Sequence, residues 1–431
     1  MATTQVQYEL DEIRPASPSP RADGDGFNEH HDEDAALNQP QQVAKHVVWK
    51  LVAVNWAMFV AGMNDGSTGA LIPSIRTAYD ADLLFVAIVY LVNFSGWLIA
   101  AFTNAHITAW LGMGGVLVVS ATSQVVAYSL NFWEPPYPVF CLSFFFSGFA
   151  IAYMDAQANT FVASLDDSHR WLGILHSVYG LGALVSPLAA TALASETPHW
   201  HYYYAVLLGC AASNIALLAW TFRAEIRNRP RASKSGADKQ LKSALSQRSV
   251  WILSLFFFLY VGAEVTAGGW VVEFLISVRN GSPSQVGYVA SGFWGGLALG
   301  RLLLADVTHK FGERRMVFFY IILGLVMQLL FWFVPNIVAN AVVISLLGFV
   351  IAPLFPAGIS ILTRLLPRDL HVASIGLTAT IGQAGSAAFP FLTGAVASKA
   401  GVTVLQPIMV ALLGGMFVLW ALMPRIKKQT E

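Results

Sequence analysis

Charged residues are scarce in this chain of 431 residues. Asp, Glu, Lys and Arg make up 12% of it, whereas 56% of the residues are hydrophobic and the mean hydropathy is +0.58. Soluble domains carry about 25% charged residues, so the composition excludes an ordinary soluble protein and predicts a chain that lies largely in a lipid bilayer. The 25 basic residues balance 25 acidic ones, and no attraction to nucleic acid is therefore expected.

Cysteines and recognisable catalytic motifs are also few. Cys141 and Cys210 both stand in apolar runs, which argues against a disulfide framework. The sequence holds no phosphate-binding loop, no metal-ligand cluster and no nucleophile with a matching base. We therefore expect no cofactor, no metal and no enzymatic activity. An ATP-driven pump is excluded because it needs a nucleotide-binding domain.

Long apolar runs are abundant. A membrane-spanning helix needs about 20 apolar residues, and the sequence predicts an all-α membrane protein with twelve such helices. The predicted spans are 47–73, 83–104, 107–130, 137–164, 170–194, 202–222, 250–277, 284–305, 315–334, 339–364, 372–397 and 404–423. The resulting regions are a disordered polar tail (1–45), a first bundle (46–222), a linker (223–249), a second bundle (250–424) and a short tail (425–431).

The distribution of Lys and Arg predicts the orientation. Of the 25 basic residues, the twelve-span topology leaves only Arg76, Arg279 and Lys399 on one side. Basic residues concentrate on the cytosolic side, so we expect both termini and the linker to be cytosolic, in a protein of the plasma membrane. Asn280 begins the sequon Asn-Gly-Ser on the other side and is a candidate for glycosylation.

The two halves of the chain share an internal repeat. "GFAIA" at residues 148–152 stands 200 positions before "GFVIA" at 348–352, and Gly112 stands 200 positions before Gly312. Two parallel six-helix repeats joined by a long linker are typical of transporters that hold the solute between the halves.

The segment "GRLLLADVTHKFGERR" begins at Gly300 and resembles the cytosolic motif of the major facilitator superfamily. The resemblance covers residues 45–424 and implies that basic residues and small glycines join two helix ends at a cytosolic gate. The residues that it assigns to this gate motif are Gly300, Arg301, Lys310, Gly312, Arg314 and Arg315. The corresponding loop of the first half has lost its basic residues, so we expect a weaker latch there.

Four further stretches are similar to the fucose permease branch of sugar/proton symporters. They are "NDGSTGALIP", "MDAQANTF", "LHSVYGLGALVSP" and "YVGAEVTAGGW". The resemblance implies a monomeric transporter of small polyhydroxylated solutes and protons, with Asp155 and Asn159 in the solute site. That branch carries Glu where this chain has Asp155, and a sugar-binding Asn where it has Tyr179, which we also expect to bind the solute.

Asp155 and Asn159 stand out because they interrupt a strongly apolar span. Residues four apart lie on one face of a helix, and a carboxylate in hydrocarbon is costly unless it has a use. The repeat places Phe355 and Ile359 at the matching positions, so helix packing does not require the acid. We expect Asp155 to face a water-filled cavity, with a helix-packing role as the alternative.

Other polar residues within the spans are candidates for the same site. Desolvation penalises a charged Glu264, which suits proton exchange, and Asp65 and His176 are alternative proton carriers. Trp270 could stack on a sugar ring, and Gln383 could bind a hydroxyl. Asp65, Glu264 and His176 could instead form structural hydrogen bonds, and Glu273, nearer a span end, is expected on a solvated face.

Together these features predict a secondary transporter that works by alternating access. The favoured activity is proton-coupled import of a monosaccharide-like solute. One alternative is a proton-antiport exporter of amphipathic metabolites, suggested by the aromatic residues of three spans, namely Phe144, Phe145, Tyr260, Trp270 and Trp294. An alternative of another class is a nutrient sensor that does not transport.

Overall fold

The computed structural model describes residues 29–165, 168–227, 242–367 and 370–424. All regular elements in these ranges are helical. The spanning helices are α1 (Glu29–Tyr79), α2 and α3 (the two arms, 83–111 and 113–131, of Leu83–Asn131), α4 (Tyr137–Ala163), α5 (Ser168–Glu196), α6 (Tyr202–Thr221), α7 (Arg248–Ser277), α8 (Val289–Phe311), α9 (Glu313–Phe333), α10 (Ile337–Ile351 and Leu354–Leu365), α11 (His371–Ala400) and α12 (Leu405–Leu422).

The helices confirm the predicted all-α membrane fold. Eleven of them are long and apolar enough to cross a membrane. The remaining predicted span, 372–397, lies in α11, which has 30 residues and is therefore about 45 Å long. The described part of α1 begins at Glu29, so it includes residues 29–45 of the predicted tail. Residues 1–28, residues 228–241 of the linker and the tail 425–431 lie outside the described residues.

The internal repeat is visible as duplicated helix crossings. Gly148 of α4 packs on the backbone of Asn93 in α2, and Gly348 of α10 packs on the backbone of Phe293 in α8. A side chain at either glycine would collide with the facing carbonyl. The connections α2–α3 and α8–α9 also turn at matching glycines, Gly112 (φ 71°) and Gly312 (φ 92°), because only glycine adopts this region freely.

The two halves touch at one end of the molecule. We call the face where α1 begins and α12 ends the terminal face, and the opposite face the distal face. Toward the distal face, Gly69 of α1 meets the backbone of Gly268 and Gly269 in α7. Gly394 of α11 likewise packs on Ala87 of α2. These contacts close the distal side between the halves.

The terminal ends of the same helices are more open. Gly173 lies near the terminal end of α5, and its repeat counterpart Gly376 lies near the terminal end of α11. Among the described residues, no atom beyond the immediate helix lies within 4 Å of a Cβ placed at either glycine. Within the described ranges, close contacts between the halves are therefore found on the distal side and are absent at these two terminal positions.

Candidate functional site

Asp155, Asn159 and His176 form a chain of hydrogen bonds between α4 and α5. The Asn159 amide donates to Asp155 Oδ1 at 2.9 Å and to the Asp155 backbone carbonyl at 2.8 Å. His176 Nε2 lies 3.1 Å from Asn159 Oδ1. An amide oxygen only accepts, so Nε2 is the donor. The predicted pair thus shares one helix face, and His176 from α5 fixes the orientation of its amide.

A second carboxylate, Asp65, is held between α1 and α5. The Tyr179 hydroxyl donates to Asp65 Oδ2 at 2.6 Å, and the Asn64 amide donates to Oδ1 at 3.0 Å. The two helices approach closely because Gly62 packs directly on the Tyr179 carbonyl. Tyr179 and His176 are three apart and share a face of α5. One face of α5 therefore contacts both acidic sites of the first half.

The carboxylate of the second half is paired with an arginine. Arg301 Nη2 lies 3.0 Å from Glu264 Oε1 and 3.3 Å from Oε2. Arg301 offsets the desolvation of Glu264 on which the predicted proton exchange depends, and sequence alone did not show that α8 brings Arg301 to it. Arg301 also lies about 15 Å along α8 from the terminal end at Phe311, far from the gate motif to which the resemblance assigned it.

The three carboxylates lie in one central region where the halves face each other. Gly180 of α5 packs on Ala298 of α8, and Arg301 follows Ala298 by one helical turn. Arg301 consequently lies near His176 and Tyr179, and Asp65 lies near Glu264. Donors and acceptors from both halves thus surround one space.

Two further predicted residues make internal hydrogen bonds. Trp270 is fully buried, and its indole N–H donates to the Pro390 carbonyl at 3.1 Å. In this conformation its ring packs between α7 and α11 and does not line the central space. The Gln383 amide donates to Ser386 Oγ at 3.2 Å within α11, and its side chain remains partly exposed.

The Major Facilitator Superfamily model matches residues 54–280 and 266–431. This chain belongs to that superfamily. Its family and fold are those of multi-pass membrane transporters. "Bypass of stop codon protein 6" of Saccharomyces cerevisiae is 27% identical over 410 residues, which cover 87% of this chain and 82% of the relative. The glucose/mannose transporter GlcP of Bacillus subtilis is 21% identical over 78% of this chain and 85% of its own length.

Solved structures support the same fold. A variant of the E. coli fucose:proton symporter FucP superposes with a TM-score of 0.63 at 12% identity, over 88% of this chain and 99% of that one. FucP in its outward conformation gives 0.62 at 14% identity, over 88% and 100%. An inward-facing bacterial homologue of the human lysosomal transporter Spinster gives 0.67 at 12% identity, over 87% and 96%.

The part of the predicted gate motif from Lys310 to Arg315 lies at the terminal face. Arg314 donates to the backbone carbonyls of Met423 and Pro424 at 2.8 and 2.7 Å, which ties α9 to the end of α12. Lys310 is exposed and lies 6.0 Å from the Phe311 ring centre. Arg315 is also exposed. Gly300 lies one position before Arg301 and, like it, belongs to the middle of α8.

Sequence analysis missed the buried acid of this segment. Glu313 accepts hydrogen bonds from Ser360 at 2.7 Å and from Arg364 at 2.8 Å. Its position directly after Gly312 was the available signal. In the first half the corresponding residue is Met113. That half instead pairs Lys50 of α1 with Glu225, in the short helix Arg223–Arg227 that leads into the linker.

Glu273 is buried, which contradicts the expected solvated face. Its side chain is 2% exposed, forms an ion pair with Arg76 of α1 and accepts from Ser277 at 2.9 Å. The sequence could not show this, because the burial arises only where the halves close on the distal side. Asn280 follows in an exposed distal loop with φ 55°, a conformation that asparagine tolerates better than most residues.

Proposed function

We propose that this transporter imports a small polyhydroxylated solute, such as a monosaccharide, together with protons, and that it works as a monomer by alternating access. The observation that carries the proposal is the Asp155 carboxylate, a hydroxyl acceptor that the Asn159 amide orients in the region where the halves face each other. Two similar proteins are named as glucose transporters, GlcP of B. subtilis and sodium-dependent glucose transporter 1 of Homo sapiens.

Asp65 is the better candidate for the proton carrier. Its hydrogen-bond partners are the neutral groups of Tyr179 and Asn64, and no ion pair to Asp65 occurs among the described residues. Burial without a cationic partner favours the protonated form of a carboxylate. Glu264, in contrast, has its charge balanced by Arg301. We therefore assign proton uptake to Asp65, with His176 as a possible relay to the solute site.

We propose that the protein lies in the plasma membrane and that its terminal face is on the cytosolic side. Because Arg301 lies in the middle of α8, it counts toward neither side. Of the 25 basic residues, 21 remain on the terminal side and three on the distal side. This remaining bias still supports a cytosolic terminal face. On that assignment, the structure is the state that releases solute into the cytosol.

The exporter alternative loses much of its support. It depends on aromatic residues that line a cavity for amphipathic cargo, yet Phe144, Tyr260, Trp270 and Trp294 are all at most 6% exposed. These rings pack the helices in this conformation. The fifth residue, Phe145, is partly exposed.

The test is transport by the purified protein in proteoliposomes. Labelled monosaccharides, polyols and organic acids are offered with an inward proton gradient, with no gradient and with a sodium gradient. We expect uptake of one sugar class that accumulates only under the proton gradient. Extrusion of amphipathic compounds with no sugar uptake would contradict the proposal, and accumulation under sodium alone would contradict its proton coupling.

A further inference from the structure

The ion pair of Glu264 and Arg301 is not shared by the internal repeat. The repeat places Asn64 and Ala101 at the matching positions of the first half, and that half packs its helices with the same crossings. A buried ion pair is also a weak source of stability, because desolvation of both charges offsets their attraction. The pair therefore calls for a role other than holding α7 to α8.

The geometry of the pair leaves part of the arginine available. Both hydrogen bonds to Glu264 come from the single nitrogen Nη2, whereas a guanidinium has five N–H donors in a fixed plane. The Arg301 side chain retains 17% exposure, against 9% for Glu264. Donors of Arg301 thus remain accessible from the central space, beside a carboxylate whose lone pairs are not exhausted.

We propose that Glu264 and Arg301 together form the solute-binding element of the second half and recognise two adjacent hydroxyls. One hydroxyl of a vicinal diol donates to the Glu264 carboxylate, and its neighbour accepts from Arg301. Charged partners of this kind make the stronger class of hydrogen bonds. This inference rests on the proposed function, and it assigns Arg301 to the solute site and Glu264 to binding, not to proton transfer.

The first half presents a carboxylate with neutral neighbours. Asp155 supplies acceptors, and the Asn159 amide, which donates to Asp155, orients them. The Gly180–Ala298 crossing brings α5 and α8 together between this carboxylate and the Glu264–Arg301 pair. A solute with hydroxyls at both ends would therefore contact Asp155 in one half and the Glu264–Arg301 pair in the other, which favours cyclic polyols and monosaccharides over solutes with a single polar end.

The experiment combines protein variants with deoxy analogues of the transported sugar. Binding to detergent-purified protein is measured by calorimetry for the wild type, Arg301→Lys and Glu264→Gln. Arg301→Lys keeps the charge but loses the planar fork. In the wild type, we expect removal of either contacted hydroxyl to weaken binding at least tenfold. In both variants the parent sugar should bind at least tenfold more weakly, and the same hydroxyl removal should cost less than threefold.

The control is Arg279→Lys, an identical replacement near the distal face, where Arg279 bonds to Asn340 and to the carbonyls of Phe331 and Trp332. It should bind every analogue as the wild type does. Unchanged parent affinity in Arg301→Lys, or equal deoxy penalties in all proteins, would overturn the inference while leaving the proposed function intact. If Arg301→Lys does not fold, Glu264→Gln decides by the same criterion. If no sugar binds the wild type, the proposed function itself fails.

Discussion

The two halves of this transporter share a scaffold but differ in polar chemistry. Gly148 and Gly348 make the same close crossing in the two halves. In contrast, the central acids of the first half, Asp65 and Asp155, bond to neutral partners, whereas the central acid of the second half, Glu264, bonds to Arg301. The repeat therefore fixes where side chains can stand, and divergence at those positions determines what each half does. Acids without a cationic partner suit proton exchange, and a charge-balanced pair suits solute binding that does not depend on protonation.

The largest effect should come from disrupting the helix crossing that the two halves share. Gly148→Leu and Gly348→Leu each force a side chain into a facing carbonyl, so we expect both to lose nearly all monodisperse protein in size-exclusion chromatography of membrane extracts. Gly209→Leu and Gly414→Leu are the controls, since no atom beyond the immediate helix lies within 4 Å of a Cβ at either site among the described residues. Tolerance of Leu at only one of the two crossings would show that the halves pack differently.

The next effect separates the halves. Asp155→Asn removes the acceptor charge of the solute site without changing the side-chain volume. We expect the variant to fold and to lose initial uptake by about a hundredfold, equivalent to about 2.7 kcal/mol at the limiting step. Initial uptake of labelled sugar by proteoliposomes measures this loss, normalised to inserted protein. Uptake near the wild-type rate at all pH values would assign Asp155 to helix packing.

Asp65→Asn should change coupling more than turnover. One proton moving down 100 mV supplies about 2.3 kcal/mol, enough for about a 50-fold solute gradient. Without a titratable group at this position, we expect the variant to exchange sugar between the two sides but to stop accumulating it. Counterflow and gradient-driven uptake are compared in the same vesicles. Retained accumulation would exclude Asp65 as the proton carrier, and loss of both activities would indicate a role in solute binding.

The smallest effect concerns the boundary between the halves. Glu273→Gln breaks the ion pair with Arg76, which is one-third exposed, so its strength is reduced by solvent. We expect a shift of about twofold to fivefold toward the distally open form. Labelling of Thr191→Cys by an impermeant thiol reagent reports this shift, because Thr191 is buried against Gly287. Exposed Glu196→Gln is the control. Equal labelling of both variants would show that the Arg76–Glu273 ion pair does not hold the distal side closed.

The fold could be predicted from the sequence more fully than the site. Hydropathy identifies spans because each helix must satisfy its backbone within lipid, and recurring glycines such as Gly148 and Gly348 mark the repeat. The partners of Glu264 and Glu273 depend instead on how helices rotate and on which side of the molecule is closed. The rotation of α7 also determines the surroundings of Trp270, because it directs the indole toward Pro390. Nothing in the local sequence reports these rotations.

The contact between Gly69 and the Gly268–Gly269 pair has a practical consequence. Here α1 and α7 meet backbone to backbone, with no flexible side chain to absorb an intruding group. Even one methyl group at position 69 would separate α1 from α7 and keep the distal side partly open. Gly69→Ala could therefore serve as a reagent that enriches the opposite state, for raising state-selective antibody fragments and for determining that state's structure.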